Sequence, residues 1–583
     1  MKYNVSPAAS TSSPVDLSQS HITTLDFGQV LPVSVFETLP RDNHSVDISS
    51  YIRLSPLVFP TFGQFDLTYS TFYIPYFQIW KYFDDFVSGS KSNGSVNLVH
   101  PYFSREAFVT SFSRSAYGRQ TNKVSEADFS YVGASATSDS GTHYVFTTVG
   151  KYCYKVLQML GYQIESGADM RPGSDYLNGP QISALPLLAY LKAYNDYMQL
   201  SVLYNSSQID TLLQSAVNGG LVSFQTALDC LATCIPLIGS DYFTSSFDNI
   251  NNPGSYSTTL TTPAIGTIDS LAKNPTLNST TTDVSVSTST TSLTSRQTDF
   301  LDAFTRFVRR NNLVGTRAAQ RIFARFGVQS DDFYSNYCRH IQTSSMPFTV
   351  GDVTSTSPNE NPQLGLGTYS GQCVASGHHK FQMDANDYGL CVTFAYITLR
   401  ASYINPVHPR IYRSSYLDYY QPEFDGVGVQ PISYTNLTNN PRFSDVTGAS
   451  HAWQNQSNKV FGFVPRYEDY RTNFNFVTGD FTLFDSLDPW HFGRRFYDRL
   501  AAGTLSLAIK PQSVNFQGPS TEFDRIFMSD VVSNEGVTMY DHFFASFYID
   551  HKGHRAMRSR AGSIDMQDGQ LQLSSLGKTL NTP

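Results

Sequence analysis

Few residues in this chain are spaced for covalent or metal chemistry. Near its end, Asp541, His542, His551 and His554 offer the carboxylate and imidazole groups that a divalent cation takes. The pattern around them reads as a strand running into a basic loop, and not as a helix that would gather such ligands. No metal centre is expected there. Asp84-Asp85, inside IWKYFDDFVSG, is a paired carboxylate of the kind glycosidases use, yet an Asp-Asp pair without a converging acid or base is ordinary turn composition. Cys230 and Cys234 stand at i,i+4 in a helix-like run and read as buried thiols. GxSxG, HExxH, GxxxxGK[ST], a doubled CxxC and a helix-opening GxGxxG are all absent from the sequence. GLGTYSG, from Gly365, precedes no helix. A non-enzyme without a cofactor is therefore expected.

The cations are more informative. Twenty-seven of the 40 basic residues are arginine, whose planar fork suits phosphate and interfaces. Arg306, Arg309, Arg310, Arg317, Arg321 and Arg325 occur between Asp302 and Asp331 with no acid among them. Lys552, Arg555, Arg558 and Arg560 form a second basic stretch near the end. Both stretches are candidate nucleic-acid contacts, and both equally suit a subunit interface. A net charge of −8 excludes a protein that coats duplex nucleic acid with its whole surface. Charged residues are only 15% of the chain, and aromatic residues reach 14%. Arg, Tyr and Phe are enriched, and Lys and Glu depleted, where protein surfaces bury one another. The composition points to a surface meant to be covered by partners.

The 583 residues, 40% hydrophobic with mean hydropathy −0.25, can bury a large core. Abundant Tyr and Phe with 38 Gly and 28 Pro favour a β-rich fold over coiled coils, bundles or disorder. No secretory leader and no run of eighteen apolar residues is present. Residues 1–28 read as an extended N-terminal arm. Phe65, Leu67, Tyr69 and Thr71 alternate as a strand, LCVTFAYITLRASY is a buried strand, and FDRIFMSD and FFASFYIDHK are late strands. Residues 176–240 are helical, with Ser183 as N-cap and Leu187, Leu191, Tyr194 and Met198 on one face. Thirteen of the seventeen residues from Ser279 to Ser295 are Ser or Thr, so 250–298 is an exposed loop or a linker. Residues 299–327 form the Arg-rich helical segment, and 556–583 a polar tail. Between them lies a β-sandwich with elaborate insertions. A β-sandwich carbohydrate-binding or carbohydrate-active protein is the competing reading. Three Trp and the lack of a signal peptide or acid/base pair argue against it.

In order along the chain, several segments resemble the major capsid proteins of the Microviridae. TLDFGQVLPVSVFETLPRDNHSVDISSYIRLSPLVFPTFGQFDLTYSTFYIPYFQIWKYFDDF is similar to that family's opening. SALPLLAYLKAYNDYM, SDYFTSSFDN, VGTRAAQRIFARFGVQSDD, DYYQPEFDGVGVQPI, FGFVPRYEDYRTNFNFVTGDF and DPWHFG resemble later segments. Arg41 replaces the glycine of the family's L-P-G-D turn, and Ala319 stands where a tyrosine is common. The spikeless, gokushovirus-like branch is the nearer likeness. The resemblance implies an eight-stranded antiparallel viral jelly roll with large, partly helical insertions, spanning about 29–555. It also implies self-assembly into a T=1 icosahedral shell around circular single-stranded DNA, built in the bacterial cytoplasm without membrane insertion. The partners it implies are a small basic DNA-binding protein, a pilot protein, an internal scaffolding protein and a host surface receptor. Ser279, Thr280, Thr281, Ser287, Thr288 and Ser289 fall where spikeless relatives carry a host-facing protrusion.

Overall fold

The computed structural model describes residues 12–104, 143–162, 181–198, 208–246, 337–354, 369–437, 460–494, 521–527 and 541–557, with breaks of one to three residues, and short strands at 118–121 and 131–132. The frame begins with β1 (Ser13–Asp16), β2 (Gln19–Leu25), β3 (Val30–Thr38), β4 (Asp42–Leu54) and β5 (Phe65–Pro75). Helices α1 (Thr148–Met159), α2 (Leu185–Tyr197), α3 (Gln208–Ala216) and α4 (Phe224–Ala232) follow. Then come β6 (Arg339–Pro347), β7 (Thr349–Thr354), β8 (Tyr369–Ala385), β9 (Gly389–Leu399) and, at the end, β10 (Phe543–Arg555). The fold is mainly β, with antiparallel sheets and some helices.

One sheet has β10 at its heart. β4 pairs with β10 on one side and with β8 on the other, and β7 extends the sheet beyond β8. β1 and β2 share the opposite flank of β10, with Ser13 opposite Arg555 and Leu25 opposite Phe543. Part of the segment expected as an arm is thus paired backbone. An edge strand needs little apolar content to hydrogen-bond, so its Ser/Thr-rich sequence carries no strand signal. The second sheet runs β6–β5–β9–β3, also antiparallel.

The two sheets differ in what covers them. β4 and β10 alternate buried with more exposed residues along their length, the pattern of a sheet with one solvated face. Val46, Ile48, Ile52, Phe547 and Ile549 point inward with essentially no exposure. Phe547 meets Tyr69 of β5, but the alternation expected in β5 is one of residue type only, since Leu67 to Pro75 are all buried. β9 is buried almost throughout, because helices pack on the far side of its sheet: Tyr190 of α2 lies 4.9 Å from Phe394, and Tyr197 stacks on Phe72. That double burial is why LCVTFAYITL reads as a continuous apolar run.

α2 is buried on nearly every side, from Leu187 through Asn195, beyond the single apolar face expected. Its first turn follows Ala184, with Ser183 Oγ accepting the Leu185 N–H at 3.4 Å. Tyrosine hydroxyls fasten the helical layer to neighbouring backbone. Tyr190 donates to the Val30 carbonyl (2.8 Å), Tyr152 to Cys234 (2.7 Å) and Tyr194 to Ile235 (3.0 Å). α1 had no counterpart in the sequence reading. Of FDRIFMSD, expected as a strand, the described part is a 3-10 turn over Thr521–Ile526, with Phe527 bridging to Leu57, and residues 528–530 lie outside the described residues. Its aromatic residues serve a knot at one end of the sandwich, where Phe27 lies within 6 Å of Phe65, Phe492, Phe523 and Phe543. A separate cluster, including Phe243, Tyr403, Phe461, Val464 and Phe474, is assembled outside the sheets.

The β3–β4 turn explains one departure from the resembled pattern. Arg41 has φ of 71°, the left-handed region in which a side chain is strained and glycine is not. Comparing Arg41→Gly with Arg41→Ala removes the same side chain and isolates this cost. The glycine variant is expected to be the more stable by about 1 kcal/mol, read from urea unfolding of the two.

Candidate functional site

Buried ionisable groups gather at both ends of β10. Before its first residue, Asp541 is buried between two cations of α1, with Lys155 Nζ at 2.5 Å and Lys151 Nζ at 3.1 Å. The two lysines sit at i,i+4, one turn apart on the same helix face. Thr24 donates to the same carboxylate at 2.6 Å. Burial alone would raise the Asp541 pKa, but the two ammonium groups and these hydrogen bonds outweigh it and hold the carboxyl well below its ordinary range. His542 stacks flat on Phe527, with ring centroids 4.1 Å apart. Its Nδ1 lies 3.2 Å from Asp26 Oδ2 and 3.8 Å from Asp524 Oδ1. Burial lowers its pKa, and the Asp26 hydrogen bond with the charges of Asp26 and Asp524 more than reverses this. His542 therefore links the segment after β2, the 521–527 turn and β10, and its protonated form is favoured by both carboxylates.

At the other end, Asp42, His44, His551 and Arg555 form a chain. His44 Nε2 is 3.2 Å from Asp42 Oδ2, and His551 Nε2 is 3.0 Å from His44 Nδ1. Arg555 Nε lies 3.2 Å from the same Asp42 oxygen, and its guanidinium also donates to the Glu37 carbonyl. Burial lowers the pKa of both histidines, that of His551 to about 4. Between the sheets, His379 bonds Thr71 (2.9 Å) and Ser344 (2.6 Å) and stacks on Tyr69. Burial takes it to about 4 as well.

The residues singled out by sequence are distributed as follows. Lys552 is exposed and pairs with Asp550 at 3.1 Å, and Arg555 is held by Asp42. Arg558 and Arg560 lie outside the described residues. So do Arg306, Arg309, Arg310, Arg317, Arg321 and Arg325, and so does the whole 250–298 loop with Ser279, Thr280, Thr281, Ser287, Thr288 and Ser289. Asp84 and Asp85 sit on a short helix, Phe83–Val87. Cys230 and Cys234 are buried, the latter donating to the Cys230 carbonyl at 3.4 Å. Among the described residues, Asp26, Asp524 and His542 are the one group of three with metal-ligating atoms close together. The sequence reading had named His542 but neither partner, since both lie far away in the chain.

The sequence reading missed the open face of the first sheet. Ile22 and Tyr51 both stand opposite Ser546 of β10, with Phe544 and Tyr548 diagonal to them. All four are exposed. Arg53 Nε donates to the Tyr51 hydroxyl at 3.1 Å, its guanidinium 5.2 Å from the ring centre. The signal was present in the alternation of FFASFY, whose second, fourth and sixth residues face outward.

Structure and sequence motifs meet in DYFTSS. Asp241 Oδ1 accepts from the Phe243 and Thr244 N–H groups, and Oδ2 accepts from the Tyr403 hydroxyl at 2.8 Å. Asp469 of RYEDYR pairs with Arg413 and accepts from Gln430. The family described as "Capsid protein (F protein)" matches residues 4–111 and 159–509. The chain belongs to this capsid-protein family. It is also similar to the capsid protein VP1 of Chlamydia phage 1, at 22% identity over 546 residues, covering 83% of this chain and 87% of that protein. Capsid protein VP1 of Bdellovibrio phage phiMH2K is 23% identical over 186 residues, 31% of this chain and 33% of that protein. This is a major capsid protein of a phage, and its place is the virion. No described helix is long and apolar enough to cross a membrane.

Two predictions follow from the ends of β10 and the sandwich interior. His44, His379 and His551 are held neutral, below their ordinary value. An unfolded chain therefore takes up protons that the folded one refuses, and stability falls as pH drops from about 6.5 to about 4. His542 acts oppositely, since its contribution is present below the ordinary value and fades as pH rises through its raised one. His21, His340 and His408 are lowered by burial as well, so six histidines stand against one and the melting temperature should fall between pH 7.5 and 4.5. His379→Gln should flatten that dependence in thermal melts. Separately, Lys155→Met leaves Asp541 buried beside a single lysine and should cost about 3 kcal/mol in denaturant unfolding.

Proposed function

We propose that the chain is the repeated subunit of a closed icosahedral shell around single-stranded DNA, and that its β frame is an eight-stranded jelly roll. The observation that carries this is the order of strands. β2–β10–β4–β8 form one sheet, β3–β9–β5–β6 the other, and they pack face to face. Among these eight strands the chain changes sheet at every step except β5 to β6. That order supports the jelly-roll reading. The two long excursions, residues 76–338 and 400–542, leave the frame without changing its order. They carry the helical layer and the Phe243–Phe474 cluster.

Genome contact fits this frame without an overall basic surface. Lys552 and Arg555 pair with Asp550 and Asp42, so phosphate contact is assigned chiefly to the Arg306–Arg325 stretch, with Arg558 and Arg560. Single-stranded DNA also presents base faces, and the exposed Tyr51, Phe544 and Tyr548 offer rings for stacking. The 250–298 loop, including Ser279 to Ser289, is assigned to host contact. A small basic DNA-binding protein, a pilot protein and an internal scaffolding protein complete the proposed assembly.

Electron microscopy of protein purified from an infected lysate, with the 260/280 absorbance ratio, tests this reading. Uniform closed shells with a nucleic-acid-like ratio are expected. A soluble monomer with a protein-only ratio, even beside its assembly partners, would overturn it. In such shells, changing Arg309, Arg310 and Arg317 to Ser should reduce packaged DNA. Unchanged DNA content would remove those residues from the genome interface.

A further inference from the structure

An unusual surface lies in the excursion between β9 and β10. Three 3-10 turns follow one another, Pro409–Tyr412, Tyr416–Asp418 and Pro422–Phe424, and none contains a buried residue. Backbone that buries nothing normally has little reason to hold one conformation. Here local polar bonds hold it. Ser415 and Asp418 form a reciprocal capping box, and His408 Nδ1 accepts from the Arg410 N–H. Arg413 pairs with Asp469, and Arg471 with Asp425 at 2.6 Å. The Arg413 guanidinium lies 4.2 Å from the Tyr470 ring centre, and that of Arg466 lies 4.9 Å from Phe424. The result is a pre-ordered surface whose large side chains face out, with Ile411 at 68% and Tyr416 at 75% exposure.

Resting on the capsid reading above, we propose that the surface formed by 409–425 and 466–471 seats a second copy of this chain. Charge selects the partner. Four arginines face five carboxylates there, with no lysine, and the strongest of these charges are already paired within the surface. Such a patch exerts no net attraction on a polyanion. It matches a partner poor in charge and rich in aromatic residues, as the chain itself is, with 15% charged and 14% aromatic residues. Tyr and Arg are also the residues that dominate binding energy at protein interfaces. Size agrees. Eight large side chains, each about half exposed, present on the order of 800 Å², close to one partner's share of a standard interface, about 800 Å². Because the turns are ordered before contact, association loses little further conformational freedom.

The test uses the full chain assembled with its phage partners. Ile411→Ser with Tyr416→Ser changes only exposed side chains and should leave the subunit's melting temperature unchanged, while the yield of closed shells falls at least tenfold. Normal shell yield from this variant overturns the proposal and leaves the capsid reading intact. Absence of shells from the unaltered chain overturns the capsid reading and this inference with it. Normal shells with reduced DNA content or host attachment would mean that the surface meets genome or host, and that the second-copy assignment is wrong. Tyr416→Cys gives an independent readout, since all six native cysteines are buried. Maleimide should label this variant in free subunits and not in shells, and equal labelling in both would also overturn the proposal.

Discussion

The structure depends on the last strand lying in the middle of a sheet. β10 pairs with Ser13–Asp16 and Gln19–Leu25 on one flank and with β4 on the other, so the sheet stays split until Phe543–Arg555 arrives. Such pairing has a high loop-closure cost and little local encouragement. What opposes that cost is concentrated at the strand's ends. Asp541 and His542 reach α1, the segment after β2 and the 521–527 turn, while His551 and Arg555 reach Asp42 and His44. The inward row of Phe543, Ala545, Phe547 and Ile549 supplies burial between these anchors. Apolar contact would tolerate a slipped register more readily than buried charge does, because displacing Asp541 from its two lysines leaves unpaired charges in the interior.

A second consequence concerns the asymmetry of the two sheets. One is covered on both faces, by the other sheet and by the helices. The other is covered on one face only. The helical layer is attached largely through tyrosines whose rings fill the interior and whose hydroxyls reach main-chain carbonyls. Phenylalanine at Tyr190 or Tyr152 would preserve packing but leave carbonyls of Val30 or Cys234 less satisfied. This gives the Y-x-x-x-Y spacing of α2 a physical meaning. Residues four apart on a buried helix present two hydroxyls to two different neighbouring segments.

Legibility followed distance along the chain. β9 could be read because both its faces are buried, and β5 because its apolar and polar residue types alternate although both its faces are buried. α2 was visible from its apolar spacing. By contrast, nothing near Arg555 announces Asp42, and nothing near His542 announces Asp26 or Asp524. HKGHR reads locally as a run of cations, and the carboxylate partners of Lys552 and Arg555, Asp550 and Asp42, come to light only once the strands are registered. FDRIFMSD misled for a related reason. Its aromatic side chains serve the knot around Phe27, a three-dimensional demand that has no period of its own. The capsid resemblance compensated for this, because ordered motifs such as DYFTSS and RYEDYR record contacts, those of Asp241 with Tyr403 and of Asp469 with Arg413, that no local pattern reveals.

These pairings also bear on how an acidic, weakly charged chain can enclose a genome. Lys151, Lys155, Lys192, Arg413 and Arg555 all have carboxylate partners within the subunit. Charge in the described residues is thus spent largely on fixing the fold, and the exposed features left over are aromatic, on the open sheet face and on the turns at 409–425. In the proposed shell, subunit cohesion would then come from non-directional apolar burial repeated by symmetry, with arginines stacked on rings supplying orientation. Overall basicity becomes unnecessary. In that arrangement copies would hold one another without reference to the genome, and DNA would need only local arginines and rings at the surface it touches.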